Sequence, residues 1–322
     1  MKNIAIIGAS GMVGRCMLNI LQERNFPMKN LKLFASSRSA GKKIEGFVVE
    51  KLTVSSFNQN IDIALFSAGG SISKEYAPIA VKKGCVVIDN SSAWRMEADV
   101  PLVVPEVNPD DILLHKGIIA NPNCSTIQAV VALYPLHTAY NIKRIIFTTF
   151  QSVSGAGNKG IEDLERTANG LEPEHFPCTI AANCIPHIDS FRDQDHGYTL
   201  EEMKMINETR KILHAPDIKI TATTVRVPVI IGHSIAINVT FENPFELNDL
   251  RNILTNSPGV CLQDDVTKNI YPTPIKAAGT DSVYVGRIRR DFSCENSLNM
   301  WVTADNIRKG AATNAVQIAE CL

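Results

Sequence analysis

Residues 3–14 read NIAIIGASGMVG. Asn3–Ile7 is an almost unbroken apolar run, the pattern of a strand buried on both faces. Gly8, Gly11 and Gly14 follow as GxxGxxG, and Gly11–Arg24 carries a helical pattern. Glycines at a strand-to-helix turn permit a tight bend and a close backbone approach to a pyrophosphate seated on the helix N-terminus. Glycines at such turns can also be purely structural. Their place directly after the first strand favours dinucleotide binding, with Gly8, Ala9, Ser10, Gly11, Met12, Val13 and Gly14 as the cradle.

Leu31–Ala35 reads as a second strand. It runs into Ser36, Ser37, Arg38 and Ser39, with no acidic residue. A site for NAD usually places a carboxylate there for the ribose 2′-hydroxyl. Hydroxyls and a guanidinium suit a 2′-phosphate instead, so the expected cofactor is NADP. Buried strand patterns recur at Ile61–Ser67 and Cys85–Asp89, with a helical stretch at Ser73–Lys83 between them. This alternation predicts a Rossmann-like, doubly wound parallel sheet.

The rhythm changes after about Pro122. A helix is expected over Ser125–Tyr140. Strands are expected at Arg144–Val153, Ile218–Val227, Ser234–Phe241, Ser282–Ile288 and Leu298–Thr303. Few helices separate the last strands, which predicts an α+β unit on a mixed or largely antiparallel sheet. Ala168–Gly197 is rich in Pro, His, Asn and Asp without periodicity, and reads as long surface loops or an interaction arm. Asp305–Leu322 reads as a capped amphipathic helix with a face to pack back on the first domain. The expected division is 1–122, completed by 305–322, for the nucleotide domain, and 123–304 for a second domain, to which the resemblance given below assigns catalysis and dimerisation.

The composition is that of an ordinary globular protein. Of 322 residues, 45% are hydrophobic and 20% charged, and the formal net charge is -1. That balance carries no field for nucleic acid or anionic membrane, and no apolar run is long enough to span a bilayer. The apolar run at the start is too short for a signal peptide. The eight Cys show no zinc or CxxC spacing. Reduced thiols, a cytoplasmic location and no metal are therefore expected. Cys16 and Cys85 read as packing residues.

Residues 118–128 read IIANPNCSTIQ, with Cys124 where a helix begins. A thiol there has its thiolate stabilised by the helix dipole, and the first amides of the helix can hold an oxyanion. A lone Cys is more commonly a small buried residue; the polar neighbours Asn123 and Ser125 favour a nucleophile. Of seven His, six have no chemical signal near them. His233 follows Gly232 between two strand patterns, a position that suits either a cleft-facing or a packed imidazole. Gln151 ends a long strand before a Gly-rich turn, where polar residues often face a site.

These motifs converge on one family. The chain resembles aspartate-semialdehyde dehydrogenase over essentially its whole length. The agreement lies in IIGASGMVG, ASSRSAGK, DNSSAWRM with VPLVVPEVN, NPNCSTIQ, QSVSGAG, GYTLEEMKMINETRKI, RVPVIIGHS and WVTADNIRKGAATNAVQIAE. The resemblance implies reversible, NADP-dependent reductive dephosphorylation of aspartyl phosphate to aspartate semialdehyde. That step supplies lysine, diaminopimelate, threonine, methionine and isoleucine. It implies that Cys124 forms a thioester, that His233 is the acid/base residue and that Gln151 orients the substrate. Arg226 would bind the α-carboxylate and Glu201 would lie near the ammonium. Arg95, Asn123 and Lys204 would bind phosphate, and the second domain would build a homodimer. The chain departs from the family at Thr224, where many relatives have Cys, and at Ala181–Cys184 and Pro186–Ile188. Two alternatives stand beside this reading. One is another acyl-phosphate reductase, such as N-acetyl-γ-glutamyl-phosphate reductase, whose substrate has no ammonium for Glu201. The other is a non-catalytic NADP-binding relative, which would have had no need to keep Cys124.

Overall fold

The computed structural model describes every residue, Met1–Leu322. In chain order the first nine elements are β1 (Lys2–Ile7), α1 (Met12–Glu23), β2 (Met28–Ala35), β3 (Lys43–Ile44), β4 (Phe47–Lys51), β5 (Ile63–Phe66), α2 (Gly70–Lys82), β6 (Val86–Asp89) and β7 (Ile118–Ala120). Then come α3 (Cys124–Tyr140), β8 (Ile142–Gln151), α4 (Asn158–Ala168), α5 (Leu200–Ile212), β9 (Lys219–Arg226), β10 (His233–Phe241), α6 (Leu247–Thr255), β11 (Val260–Leu262), α7 (Pro274–Ala277), β12 (Val283–Arg290), β13 (Ser297–Ala304) and α8 (Thr313–Glu320). The chain divides into one unit of Met1–Asn123 with Ala311–Leu322, and a second of Cys124–Gly310. The boundaries expected from sequence lie close by, but Asp305–Gly310 belongs to the second unit and Asn123 to the first.

The first unit holds a seven-stranded sheet in the order β3-β4-β2-β1-β5-β6-β7. All its pairings are parallel except the short β3–β4 pair at the edge. The period of two in a strand sends alternate residues to opposite faces, and here both faces are buried. Ile4, Ile6, Ile63 and Leu65 join one core with Met17, Leu18, Leu21 and Val316. Ala5, Ile7, Ala64 and Phe66 join another with Ala77 and Ala80. That explains the unbroken apolar runs. The edge strands β3 and β7, two and three residues long, carry too little pattern to be read from sequence, and β4 beside β3 is a further strand that the sequence reading does not include.

The second unit holds a six-stranded mixed sheet, β11-β12-β13-β10-β8-β9. The β8–β9 and β11–β12 pairs are parallel and the rest antiparallel. Helix α3 is apolar on all sides and is buried from Ser125 to Leu133, as a helix inside a core must be. It packs with α5 and α6 against the sheet.

The stretch Ala168–Gly197 forms the expected long surface loops, most of it exposed, and is anchored where Ile180 and Ile185 are buried in a cluster with Val153 and Phe176 packs on them. One expectation needs correction. The C-terminal segment is not one amphipathic helix. Asp305 does cap its start, its Oδ1 accepting the amides of Ile307 and Arg308. A wide π-type turn then covers Arg308–Ala312 before α8 begins. In α8, Thr313 to Val316, Ile318 and Ala319 are all buried, so its helical stripe has no wet side to alternate with. No helix is long and apolar enough to cross a membrane.

Candidate active site

In the first unit, β1 lies between β2 and β5, where the direction of strand order reverses. Ligands of such sheets sit beyond the strand ends at that point. Gly8 has φ +85, and a Cβ on it would lie 2.6 Å from the Ser67 carbonyl oxygen at the end of β5. A Cβ on Gly14 would lie 2.4 Å from the Gly8 carbonyl oxygen. Gly11 caps α1. The amides of Gly8 and Ala9 bond the Phe34 carbonyl, at 2.8 and 3.1 Å, which ties the loop to the end of β2. There Ser36, Ser37 and Arg38 are exposed, and the Ser39 amide closes a turn on the Ser36 carbonyl. The loop is thus shaped by backbone approaches that a Cβ would fill. It fits a dinucleotide phosphate at the start of α1, with a hydroxyl- and guanidinium-bearing turn at the position of the ribose.

Arg95 is buried in this unit. Its Nε and Nη2 donate to the Asn121 and Asn90 carbonyls, each at 3.0 Å. Asn121 in turn bonds Asn90, Ala311 and Asn314. The guanidinium is therefore a rigid fixture beside the NPN segment, not a waving surface charge. Asn123, the last residue of the unit's first segment, is also buried.

In the second unit, strand register assembles the chemical residues. Parallel pairing sets Gln151 opposite Arg226. Antiparallel pairing sets Ser234 opposite Phe150 and His233 opposite Ala304. One end of the sheet therefore gathers Gln151, Arg226, His233 and the segment after Ala304. Cys124 is the first residue of α3, and a Cβ on Gly310 would stand 3.0 Å from the Cys124 Cβ. That glycine lets the chain pass close behind the thiol.

His233 is fully buried. Its Nδ1 accepts the Ser152 backbone N–H at 3.0 Å. A backbone N–H can only donate, so the neutral ring carries its proton on Nε2. Nε2 has no partner within the chain. Burial, and then the Arg226 charge, pull the imidazole down to about 3, against a smaller opposing pull from Glu201. The Ser152 hydroxyl lies 3.0 Å from Nδ1 and 3.1 Å from Asn306 Oδ1. Asn306 Oδ1 also accepts the Gly232 amide at 2.8 Å. Gly232 has φ +98, and a Cβ on it would meet Pro274, so the turn before the imidazole requires glycine.

Arg226 is buried as well. Its Nη1 donates to the Ser152 carbonyl at 2.7 Å, and its Nε is left without a partner in the chain. Burial lowers its pKa, opposed by the charges of Glu201 and Cys124. A Cβ on Gly155 would lie 2.7 Å from Arg226 Nη1 and 3.3 Å from His233 Nε2, so Gly155 keeps open the space these two side chains share. Glu201 is buried, accepts the Gln151 Nε2 at 3.3 Å and pairs with Lys204 at 3.1 Å. Lys204 also meets Asp189 at 2.7 Å. Glu201 and Lys204 are thus more than a solvated helix pair. Helix α5 starts with a capping box, Thr199 with Glu202, and the second Glu202 oxygen accepts the Thr224 amide at 3.0 Å. The departure at Thr224 thus stands in the brace between α5 and β9.

The sequence signalled neither Ser152, Gly155, Asn306 nor Gly310. The Thr-Leu-Glu-Glu capping box was legible and unread. The arrangement can present a thiolate at a helix start, an imidazole N–H, a buried cation with an open donor and a buried carboxylate to one small zwitterionic substrate.

Known proteins resemble the chain over both units. Residues 3–115 match the family described as semialdehyde dehydrogenase, NAD binding domain, and residues 133–309 match semialdehyde dehydrogenase, dimerisation domain. The chain is 54% identical to the aspartate-semialdehyde dehydrogenase of Aquifex aeolicus, covering 99% of this chain and 97% of the relative. It is 48% identical to that of Bacillus subtilis, with the same coverage. A crystal structure of aspartate semialdehyde dehydrogenase II from Vibrio cholerae, complexed with ASA, superposes with a TM-score of 0.94 at 48% identity, covering 100% of this chain and 98% of that one. A Candida albicans aspartate semialdehyde dehydrogenase with NADP superposes with a TM-score of 0.79 at 27% identity, covering 100% and 98%.

Proposed function

The chain belongs to the aspartate-semialdehyde dehydrogenase family, and on that premise we propose that it interconverts L-4-aspartyl phosphate and L-aspartate 4-semialdehyde with NADP, through a thioester on Cys124, in the biosynthesis of lysine, diaminopimelate, threonine, methionine and isoleucine. The single observation that carries this reading is the grouping, in one unit, of Arg226 and His233 around the space kept by Gly155, with Cys124 and Glu201 acting on the same guanidinium. NADP, when bound, takes up or returns the hydride of the aldehyde carbon. The acid-free turn at Ser36–Ser39 and the NADP-bound Candida relative support it over NAD.

The Cys124 thiolate attacks the carbonyl carbon, and the S–C bond forms as the carbonyl π pair moves to oxygen. Amides at the start of α3 and the His233 Nε2–H are the donors proposed for that oxygen. Arg226 meets the α-carboxylate, Glu201 the ammonium, and Gln151, held by Glu201 and Thr149, sets the orientation. Arg95 and Asn123 in the first unit, and Lys204 in the second, are each proposed as donors to phosphate oxygens.

The partner proposed is a second copy. Helices α3, α5 and α6 pack on the second sheet, while Ile146, Thr148, Phe150, Ala236 and Trp301, none of them charged, remain half-exposed. Thr148, Ala236 and Trp301 stand in one row across three strands. With the dimerisation-domain match, this row supports a homodimer.

The test is NADPH formation from aspartate semialdehyde with and without phosphate. Phosphate-dependent reduction of NADP is expected. No reduction with the semialdehyde, or reduction indifferent to phosphate, overturns the reading.

A further inference from the structure

Asp163 is an interior residue of α4, and only 2% of it is exposed. Its carboxylate accepts three consecutive backbone amides, from Glu174 at 2.7 Å, His175 at 3.2 Å and Phe176 at 2.8 Å. Burial alone would raise its pKa; the three amides outweigh that and hold it below the usual carboxylate value. A charged acceptor with three donors is a strong local clamp. It fixes residues 174–176 of a segment whose sequence carries no regular periodicity.

What the clamp holds is the Phe176 ring. The ring packs on the buried cluster of Val153, Ile180 and Ile185 and lies 5.7 Å from the Arg226 guanidinium carbon. Ile185 and Arg226 exchange backbone hydrogen bonds in both directions, at 2.9 and 2.8 Å. The segment after α4 therefore holds Arg226 twice, at its backbone and at its guanidinium. Ser152 accepts from Nη1, Gly155 keeps the space beside it open, and Nε is a buried donor with no partner in the chain.

We propose that Asp163 and Phe176 are positioning residues for Arg226, and that together they orient its plane for the substrate carboxylate. This rests on the assignment of that carboxylate to Arg226. A guanidinium binds a carboxylate best through two parallel, coplanar N–H bonds. An aromatic face beside it limits rotation of that plane and keeps water off it. Without the ring, the cation stays but its fork is no longer preset. The consequence falls on substrate binding and on discrimination for the carboxylate, not on the chemistry at Cys124.

The test uses the full-length enzyme with Phe176→Leu, Phe176→Tyr and Asp163→Asn. A cation–aromatic contact of this kind corresponds to roughly a 3- to 30-fold effect. Phe176→Leu is expected to raise the KM for aspartate semialdehyde by that factor, with kcat within about two-fold and the KM values for phosphate and NADP unmoved. Phe176→Tyr restores the ring face and should return the KM to wild type. The preference for aspartate semialdehyde over 3-aminopropanal, which lacks the carboxylate, should shrink in Phe176→Leu by the same factor. Asp163→Asn should follow Phe176→Leu in this ratio; if it fails to fold, the two Phe176 variants decide. A wild-type KM and ratio in Phe176→Leu overturn the proposal, as does an equal loss against all substrates, which marks general damage. A wild-type enzyme that does not turn over the semialdehyde would instead defeat the assigned reaction.

Discussion

At the scale of the residue, Cys124 and His233 illustrate two kinds of legibility. Cys124 could be singled out in the sequence because the NPNCSTIQ stretch places it at a helix start, and α3 does begin there. Cys124→Ser should keep dinucleotide binding and lose nearly all turnover, because an alcohol stays protonated near neutrality; a substantial residual rate would remove the thiol from the mechanism. His233 stood apart from the other six imidazoles by its Gly232 turn and by the family resemblance, but only strand pairing placed it at the sheet end that holds Gln151 and Arg226. Its folded pKa, about 3, lies below the ordinary value of 6.5. Below pH 6.5 the unfolded chain binds a proton that the folded chain excludes. Stability is then lost as pH falls from 6.5 toward 3, by up to about 1.4 kcal/mol per unit from this group. Urea midpoints at pH 7 and pH 5 check it. His233→Asn should lose less over that interval than wild type, and an equal loss would assign the decline to other groups.

At the scale of the element, the glycine loop and β2 act together. Residues 3–14 announced a strand, a turn and a helix, and local periodicity sufficed because each is short-range. The amides of Gly8 and Ala9 on the Phe34 carbonyl then bind the loop to the strand that carries Ser36–Ser39. Arg38→Ala should shrink the preference for NADP over NAD, measured as a ratio of kcat/KM values, by roughly ten-fold. An unchanged ratio would leave Arg38 a solvated charge. The opposite case is the stretch Ala168–Gly197. Its lack of periodicity read as surface loops, and most of it is exposed; what the sequence did not show is its anchoring by Asp163 and by the bridge at Arg226, contacts that no repeat encodes.

At the scale of the whole molecule, composition spoke to classes only. The dimer proposed for the chain puts the row of Thr148, Ala236 and Trp301 against a second copy. Ala236→Glu introduces a charge in the middle of that row. An unpaired buried charge costs about 3–5 kcal/mol, enough to weaken association by roughly two to three and a half orders of magnitude. Sedimentation at micromolar concentration should show halved mass with the fold retained by circular dichroism. An unchanged mass would move the interface elsewhere.

The sequence by itself determined the alternation of elements in the first unit, the glycine turn after β1, the start of α3 at Cys124 and the family. Each is written in near-neighbour residues: a period of two or 3.6, a glycine where a Cβ cannot stand, a motif read in order. Tertiary structure alone decided that Gln151, Arg226 and His233 share one end of a sheet, that Asn306 and Ser152 hold the imidazole, and that Asp163 reaches Arg226 through an aromatic ring. Those relations depend on the register between strands distant in the chain. Register follows from which faces are buried together, a property of the packed molecule that no single strand contains.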